Sequence, residues 1–214
     1  MVLKLYAVSI STCTRRTATV FHELKVPFEL IEVDWRNRAH KTAEFLEKQP
    51  FGQVPYLDDD GFIVYESRAI CRYVAAKYPA SGLIPADPKA NALFEQAASV
   101  ELTRFEPTGG KAGLAYYAQK MQGVAVDKAV IDPLMPVLDK TLEGYDAILG
   151  KSRYLAGDTL TLADLFHLPH ISYVGLQGSD VMTKRPNVAR WYNELIGRPS
   201  WLAYVDGVKS TLGY

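Results

Sequence analysis

Between residue 3 and about residue 78 the apolar positions switch repeatedly between a period of two and a period of 3.6. LKLYAV (3–8) and FELIEV (28–33) have strand character, and between them Thr17, Val20, Phe21 and Leu24 fall at i, i+3, i+4 and i+7, one face of a helix. This is a β-α-β unit. A charged, partly helical stretch follows, NRAHKTAEFLEKQ, then VPYL, the turn DDDG, the strand FIVY, and a helix from about Ser67 whose Ile70, Tyr73 and Val74 share a face. The predicted order is β-α-β-α-β-β-α, an α/β domain over residues 1–80.

The pattern then changes. PASGLIPADPKA (79–90) gathers three prolines with Gly and Ser and reads as a linker, bounded at 81–90. Strand signals vanish beyond it, and 91–214 reads as an all-α domain: ALFEQAASVELTRFE, a segment around LAYYAQKM, DKAVIDPLMPVLDKTLEGYDAILG, LADLFHLPHISYVGL, and PNVARWYNELIG before a short tail. Val137, Leu138, Leu142 and Tyr145 form an apolar stripe in the third of these, with Pro133 and Pro136 expected early in the helix or at a kink. Thr161 with Asp164 three residues on, ahead of Leu165 and Phe166, matches a capping box and marks a helix start.

Composition narrows the classes of function. Of 214 residues, 48% are hydrophobic, enough for one large or two small domains with real cores. Lys plus Arg equals Asp plus Glu at 24 each, so bulk charge favours neither nucleic acid nor an anionic membrane, and any anion site must be local. MVLKLYAVSISTCTRR turns polar after about seven apolar residues, too short to span a bilayer, and carries no small-residue cleavage signal. Cys13 and Cys71 form neither a CxxC pair nor a disulfide framework, which fits a reducing compartment. The expected location is the cytosol. His167 and His170, spaced i, i+3 about Pro169, have no carboxylate or thiol beside them in sequence and are read as ordinary helix residues, with no metal expected.

Local motifs go further. STCTRRTATVFHELKVPFELIEVD, the pair His40-Lys41, QPFGQVPYLDDDGFIVYESRAICRYVAAKYP and YLAGDTLTLADL together resemble the phi class of soluble glutathione transferases, densely before residue 80 and more loosely after it. QPFGQVP followed by ESRAI is the specific signal; a β-α-β pattern alone is common to many proteins. The resemblance implies a thioredoxin-like N-terminal domain that binds glutathione and an all-α C-terminal domain that contributes a pocket for the electrophile. It also implies a cis bond before Pro55, with the backbone of Val54 left to pair with an extended peptide as an added strand would. Read alone, Pro55 would be an edge-strand proline that blocks aggregation.

Glu66 and Ser67 stand where FIVY hands over to a helix, whose N-terminus offers unpaired N–H groups. There Ser67 suits a carboxylate and Glu66 an ammonium, the two ends of a γ-glutamyl headgroup, and the family uses the same positions; the plainer reading is that Ser67 only caps its helix. His40, Lys41 and Gln53 resemble the family's contacts to the glycine end of glutathione, expected as charge-assisted bonds, although Ala39 departs from the acidic residue or glycine often found before the His-Lys pair.

Ser11 follows the first strand and precedes the first helix, so its hydroxyl and the N–H groups behind it point to one spot. A free thiol has a pKa of about 8.5, and only its thiolate attacks well. Hydrogen-bond donation from Ser11, aided by the helix terminus, favours the anion. No His or Asp arrangement accompanies Ser11, so it is read as a donor to a bound nucleophile and not as one itself. Ser11 as a mere helix cap is the alternative. Tyr6, near the place where other transferase classes keep a catalytic tyrosine, Ser9 and Cys13 are rivals for the sulfur, and Cys13 is the serious one, since a cysteine near a helix N-terminus can form a mixed disulfide with glutathione.

Phe105, Tyr116, Tyr117, Phe166 and Tyr173 are read mostly as core, with some of them joining Ile10 and Thr12 around the electrophile. The expected function is conjugation of glutathione, the co-substrate, to hydrophobic electrophiles, with reduction of organic hydroperoxides by the same thiolate. A glutathione- or apolar-ligand-binding protein without turnover and a Cys13-dependent thiol transferase are the alternatives. By similarity the chain is expected to be a homodimer, with an aromatic near Phe51 inserted into the partner.

Overall fold

The computed structural model describes residues 2–214. The chain separates into two compact units, one running to Ser81 and taking in Pro199–Tyr214, the other spanning Gly82–Arg198. Among the described residues no helix is long and apolar enough to cross a membrane.

In the first unit β1 (Leu3–Ala7), β2 (Phe28–Glu32), β3 (Tyr56–Asp59) and β4 (Phe62–Tyr65) form a four-stranded sheet in the order β2-β1-β3-β4. β1 and β2 are parallel, joined through α1 (Thr12–Glu23); β3 runs antiparallel to β1 and β4 antiparallel to β3. Strand alternation decides which side chains meet which helices. Leu3, Leu5 and Ala7 pack with Phe21 of α1 and with Ile70 and Val74 of α3 (Ser67–Lys77). Tyr6 and Tyr56 belong to a second cluster, with Val33 and with Phe45 of α2 (Ala43–Lys48).

The first two strands end one residue short of the sequence reading, and the third strand and the turn after it differ more. VPYL begins its strand only at Tyr56, since Pro55 has no N–H to give the ladder, and the Val54–Pro55 bond is cis as expected. DDDG shrinks to Asp60-Gly61, because Asp58 and Asp59 still pair with Ile63 and Phe62. Both turn residues have positive φ, 55° and 90°, the requirement of a tight hairpin of the type that matches strand twist.

Residues 199–214, read from sequence as the end of the helical domain, return to the first unit. After α11 (Pro199–Leu202), Tyr204 is buried in the same core as Phe21 and Phe28. Thr211 exchanges backbone hydrogen bonds with Phe28, Ser210 Oγ accepts from Leu30 N at 2.9 Å, and Val208 N donates to Ser9 O at 2.9 Å. The tail therefore covers the outer edge of β2, which would otherwise present unpaired backbone groups. Arg15 of α1 stacks over the Trp201 ring at 4.1 Å.

The second unit is helical: α4 (Pro88–Val100), a π-helical continuation over Glu101–Gly110, α5 (Lys111–Met121), α6 (Lys128–Ile131), α7 (Met135–Leu149), α8 (Leu162–Leu165), α9 (Leu168–Val174) and α10 (Pro186–Ile196). α4 starts inside the expected linker because Asp87 Oδ1 accepts from Lys89 N and Ala90 N, and Pro88 is tolerated in a first turn that lacks an N–H partner anyway. The two prolines of the third predicted helix split it: Pro133 falls between α6 and α7, and Pro136 lies in the first turn of α7. Leu138, Leu142, Tyr145 and Leu149 are the buried face of α7, whereas Val137 is exposed.

The Thr161–Asp164 box is present and opens α8. Asp164 is fully buried and accepts from Thr161 N, Thr161 Oγ1, Leu155 N and Trp191 Nε1, all within 3.0–3.1 Å. Burial pushes its pKa up, and these donors work against that rise.

Tyr204→Ala removes a ring from the sheet core and should lower the unfolding free energy by about 3 kcal/mol. A urea melt with an unchanged slope checks it; a shift under about 0.5 kcal/mol, the usual range for surface changes, would mean that the tail is not part of that core.

Candidate active site

The loop between β1 and α1 is fixed through its backbone. Ser11 N donates to Val8 O at 2.9 Å, and Ser11 O accepts from Arg15 N at 2.9 Å as the first turn of α1 closes. Ser9 is committed elsewhere: its N–H reaches both oxygens of Glu32 at 3.1 and 3.2 Å, and its hydroxyl reaches Oε1 at 3.3 Å. Ser11 stands at the N-cap of α1 in extended conformation (φ −65°, ψ 136°), yet its hydroxyl makes no capping hydrogen bond. Two of the sequence-level alternatives lose their geometric basis here, Ser9 as the sulfur's partner and Ser11 as a plain cap.

Ser11 lines a cleft of about 440 Å³ with Val8, Cys13, Trp35, His40, Gly52, Gln53 and Val54. That volume is in the range of small-ligand sites. The cleft joins the predicted residues Ser11, His40, Gln53 and Val54. Tyr6 is not among its lining: its ring stacks on Tyr56 across β1 and β3, centroids 4.5 Å apart, which makes it a packing residue. Burial pushes the Tyr56 hydroxyl up to about 12.

Lys41 lies outside the lining and donates from Nζ to Phe51 O at 3.2 Å, bridging the single 3-10 turn Ala39–Lys41 to the 51–53 loop. His40 is held below the ordinary imidazole value by its partial burial, with Lys41 and Arg38 adding to the effect. Gln53 is oriented by a residue the sequence reading passed over: buried Gln49 accepts from Gln53 N through Oε1 at 3.1 Å.

Gly52 is the second such residue. Its φ is +60°, and a Cβ there would come within 2.8 Å of His40 O and 2.7 Å of Lys41 Nζ. Only a residue without a side chain lets the 51–53 loop approach the His40-Lys41 turn this closely. Trp35, 46% exposed, is the third; a large apolar ring left in water at the start of the charged stretch WRNRAHK was the available signal.

Glu66 and Ser67 are not in this lining but open α3. Glu66 is its N-cap, with φ 69° and ψ 112°, a sparsely populated conformation for a residue with a Cβ that costs on the order of 1–3 kcal/mol. Ser67 is buried, the first helical residue, and its Oγ accepts from Arg16 Nη1 at 3.0 Å.

Of the two cysteines, Cys71 is fully buried with its thiol pushed up to about 12 by burial, whereas Cys13 is partly exposed in the cleft, its Sγ 3.7 Å from Arg16 Nη1. Thr12 is buried and Ile10 half-buried in the same loop. In the helical unit Phe105 and Phe166 are fully buried, Tyr117 stacks on Tyr173 at 4.6 Å, and Tyr116 is half-buried with Lys120 Nζ 5.7 Å from its ring. His167 is a core residue bonded to Ala163 O at 2.8 Å and the Tyr145 hydroxyl at 2.9 Å, and buried His170 faces Glu106 at 3.2 Å.

Two family models cover most of the chain: the N-terminal domain of glutathione S-transferase matches residues 1–76 and its C-terminal domain matches 105–199. The chain belongs to the glutathione S-transferase family. Its relatives include the phi-class plant enzymes. Glutathione S-transferase PM239X14 of Arabidopsis thaliana is 40% identical over 195 residues, 89% of each chain. Among solved structures, glutathione transferase F2 from Populus trichocarpa superposes with a TM-score of 0.88 at 36% identity, covering 95% of this chain and 97% of that one. Glutathione S-transferase I from mais, solved in complex with an atrazine glutathione conjugate, gives 0.86 at 32% identity over 95% and 96%. The protein is thus a glutathione transferase with the two-domain fold read from its sequence, and glutathione is its co-substrate.

Gly52→Ala places a methyl group against His40 O and Lys41 Nζ in a left-handed backbone. The transferase should lose about 1–2 kcal/mol of stability and bind glutathione on the order of tenfold more weakly. Thermal melts and calorimetric titration check the two effects; unchanged affinity would show that the 51–53 loop does not shape the ligand.

Proposed function

We propose that this transferase joins the sulfur of glutathione to apolar electrophiles in the cleft around Ser11, with the Ser11 hydroxyl donating to the thiolate. The observation that carries this reading is the uncommitted Ser11 side chain, held at the N-terminus of α1 by backbone bonds that leave the hydroxyl outside the capping pattern. Donation to the anion and the positive end of the helix both favour thiolate over thiol near neutral pH, and the thiolate attacks the electrophile. The same thiolate can attack a hydroperoxide oxygen, breaking the O–O bond and expelling the alcohol to leave glutathione sulfenic acid; a second glutathione then attacks that sulfur and gives the disulfide and water.

In this reading the tripeptide lies along Val54 as an added strand, its glycine end toward His40, Lys41 and Gln53. Its γ-glutamyl ammonium meets Glu66 and its γ-glutamyl carboxylate meets Ser67. The apolar walls at Val8 and Trp35 give an electrophile a surface beside Ser11. Removing one preorganised donor to a developing or bound anion typically lowers the rate on the order of 10²–10³-fold. Ser11→Ala should do the same to conjugation of a chloronitrobenzene, measured by absorbance; an unchanged rate would remove Ser11 from the mechanism.

One observation favours a second reading. Cys13 shares the cleft with Ser11 and has a guanidinium nitrogen 3.7 Å from its sulfur, an electropositive setting suited to thiol-disulfide exchange. Cys13→Ser tests it: reduction of a glutathione mixed disulfide should be abolished while conjugation stays intact, and disulfide reduction that survives the substitution removes Cys13 from that chemistry.

The working form proposed is a homodimer. Phe51, 63% exposed and next to the cleft residue Gly52, is an apolar ring suited to burial in a partner. Analytical ultracentrifugation should give twice the chain mass of 23.8 kDa, and Phe51→Ser should shift the equilibrium toward monomer. A wild-type protein that sediments as a monomer refutes the dimer.

A further inference from the structure

We propose that Arg16 is a positioning residue that presents Ser67 to the γ-glutamyl carboxylate of glutathione. This rests on the reading of Ser67 given above and adds how its hydroxyl is made ready. Arg16 lies in α1 with 1% of its surface exposed, and its Nη1 donates to Ser67 Oγ at 3.0 Å across 51 positions of sequence. A guanidinium has donors only, so in this bond the serine oxygen is the acceptor, and the serine hydrogen is left to donate outward. No acceptor for that hydrogen is present among the described residues.

Ser67 is also the first residue of α3, where a backbone N–H has no partner within the helix. One residue therefore offers two donors, O–H and N–H. That set matches a carboxylate and gives the ammonium of the same headgroup no acceptor. With Arg16 withdrawn, the Ser67 hydroxyl could turn and act as acceptor as readily as donor, and the discrimination between the two ends of the amino-acid group would fall. The Arg16 guanidinium also touches Cys13 Sγ at 3.7 Å, so it stands immediately behind the wall of the cleft.

The rival role is purely mechanical, a staple between α1 and α3. The two separate by comparing glutathione with its analogue lacking the γ-glutamyl carboxyl, γ-aminobutyryl-cysteinyl-glycine, in steady-state conjugation by the full-length enzyme. For Arg16→Lys and Arg16→Met, KM for glutathione should rise on the order of tenfold to a hundredfold, the scale of a hydrogen bond to a charged group, while kcat and KM for the electrophile hold. KM for the analogue should hardly move. In a Ser67→Ala background the Arg16 substitution should add little further loss.

Equal loss on both thiols, or additive losses with Ser67→Ala, overturns the proposal in favour of the staple. Should the Arg16 variants not fold, a crystal structure of the wild type with glutathione decides it. A carboxylate oxygen within hydrogen-bond distance of Ser67 Oγ, with the Arg16 bond retained, supports the role, and a carboxylate seated elsewhere refutes it. A wild type that neither binds nor turns over glutathione removes the proposed function itself, an outcome distinct from normal turnover with no Arg16-dependent selectivity.

Discussion

Ser11 stands at the start of α1 with its hydroxyl outside the helix's hydrogen bonding, because other groups fix the loop that carries it. The Val8 carbonyl closes the turn on Ser11 N, the Glu32 carboxylate anchors Ser9 to the end of β2, and Val208 from the C-terminal tail ties Ser9 from the other side. Serine at an N-cap ordinarily satisfies a helix N–H with its side chain. Here the backbone and the tail hold the turn, and the side chain lines the cleft without capping the helix.

The same division of labour recurs around the cleft. Gln53 N donates to buried Gln49, Ser67 Oγ accepts from buried Arg16, and Lys41 holds the 51–53 loop through the Phe51 carbonyl. Local backbone geometry follows from these demands: Gly52 and Glu66 both have positive φ, the glycine at no steric penalty and Glu66 at some expense in stability. Glu66 holds that conformation next to Ser67, at the handover from β4 to α3.

In the helical unit the analogous constraint is a buried polar hub. Asp164 draws together the start of α8, the 155 peptide and Trp191 of α10, and Tyr145, His167 and Trp191 pack edge to face around it. A fully buried carboxyl group with several donors fixes one arrangement of these helices, since any slip leaves a buried polar group without its partners. Phe105 and Phe166 are completely buried in this unit.

What the sequence by itself determined was the periodic and the local. The alternation of LKLYAV and FELIEV, the 3.6-residue spacing in α1, the Asp-Gly hairpin and the Thr161–Asp164 box were all readable, because each depends on neighbours a few residues away. Ser11, His40, Gln53 and Val54 were readable only through the family motifs that carry them. Tertiary structure alone decided which chain segments meet. Arg16 reaches Ser67, Gln49 supports Gln53, and residues 199–214 return to pair with β2 and brace Ser9, though nothing in the tail's composition distinguishes it from the end of a helical domain. It also decided that His40 is held below the ordinary imidazole value and that Tyr6 is a packing residue, because burial and stacking depend on what surrounds a side chain and not on its neighbours in sequence.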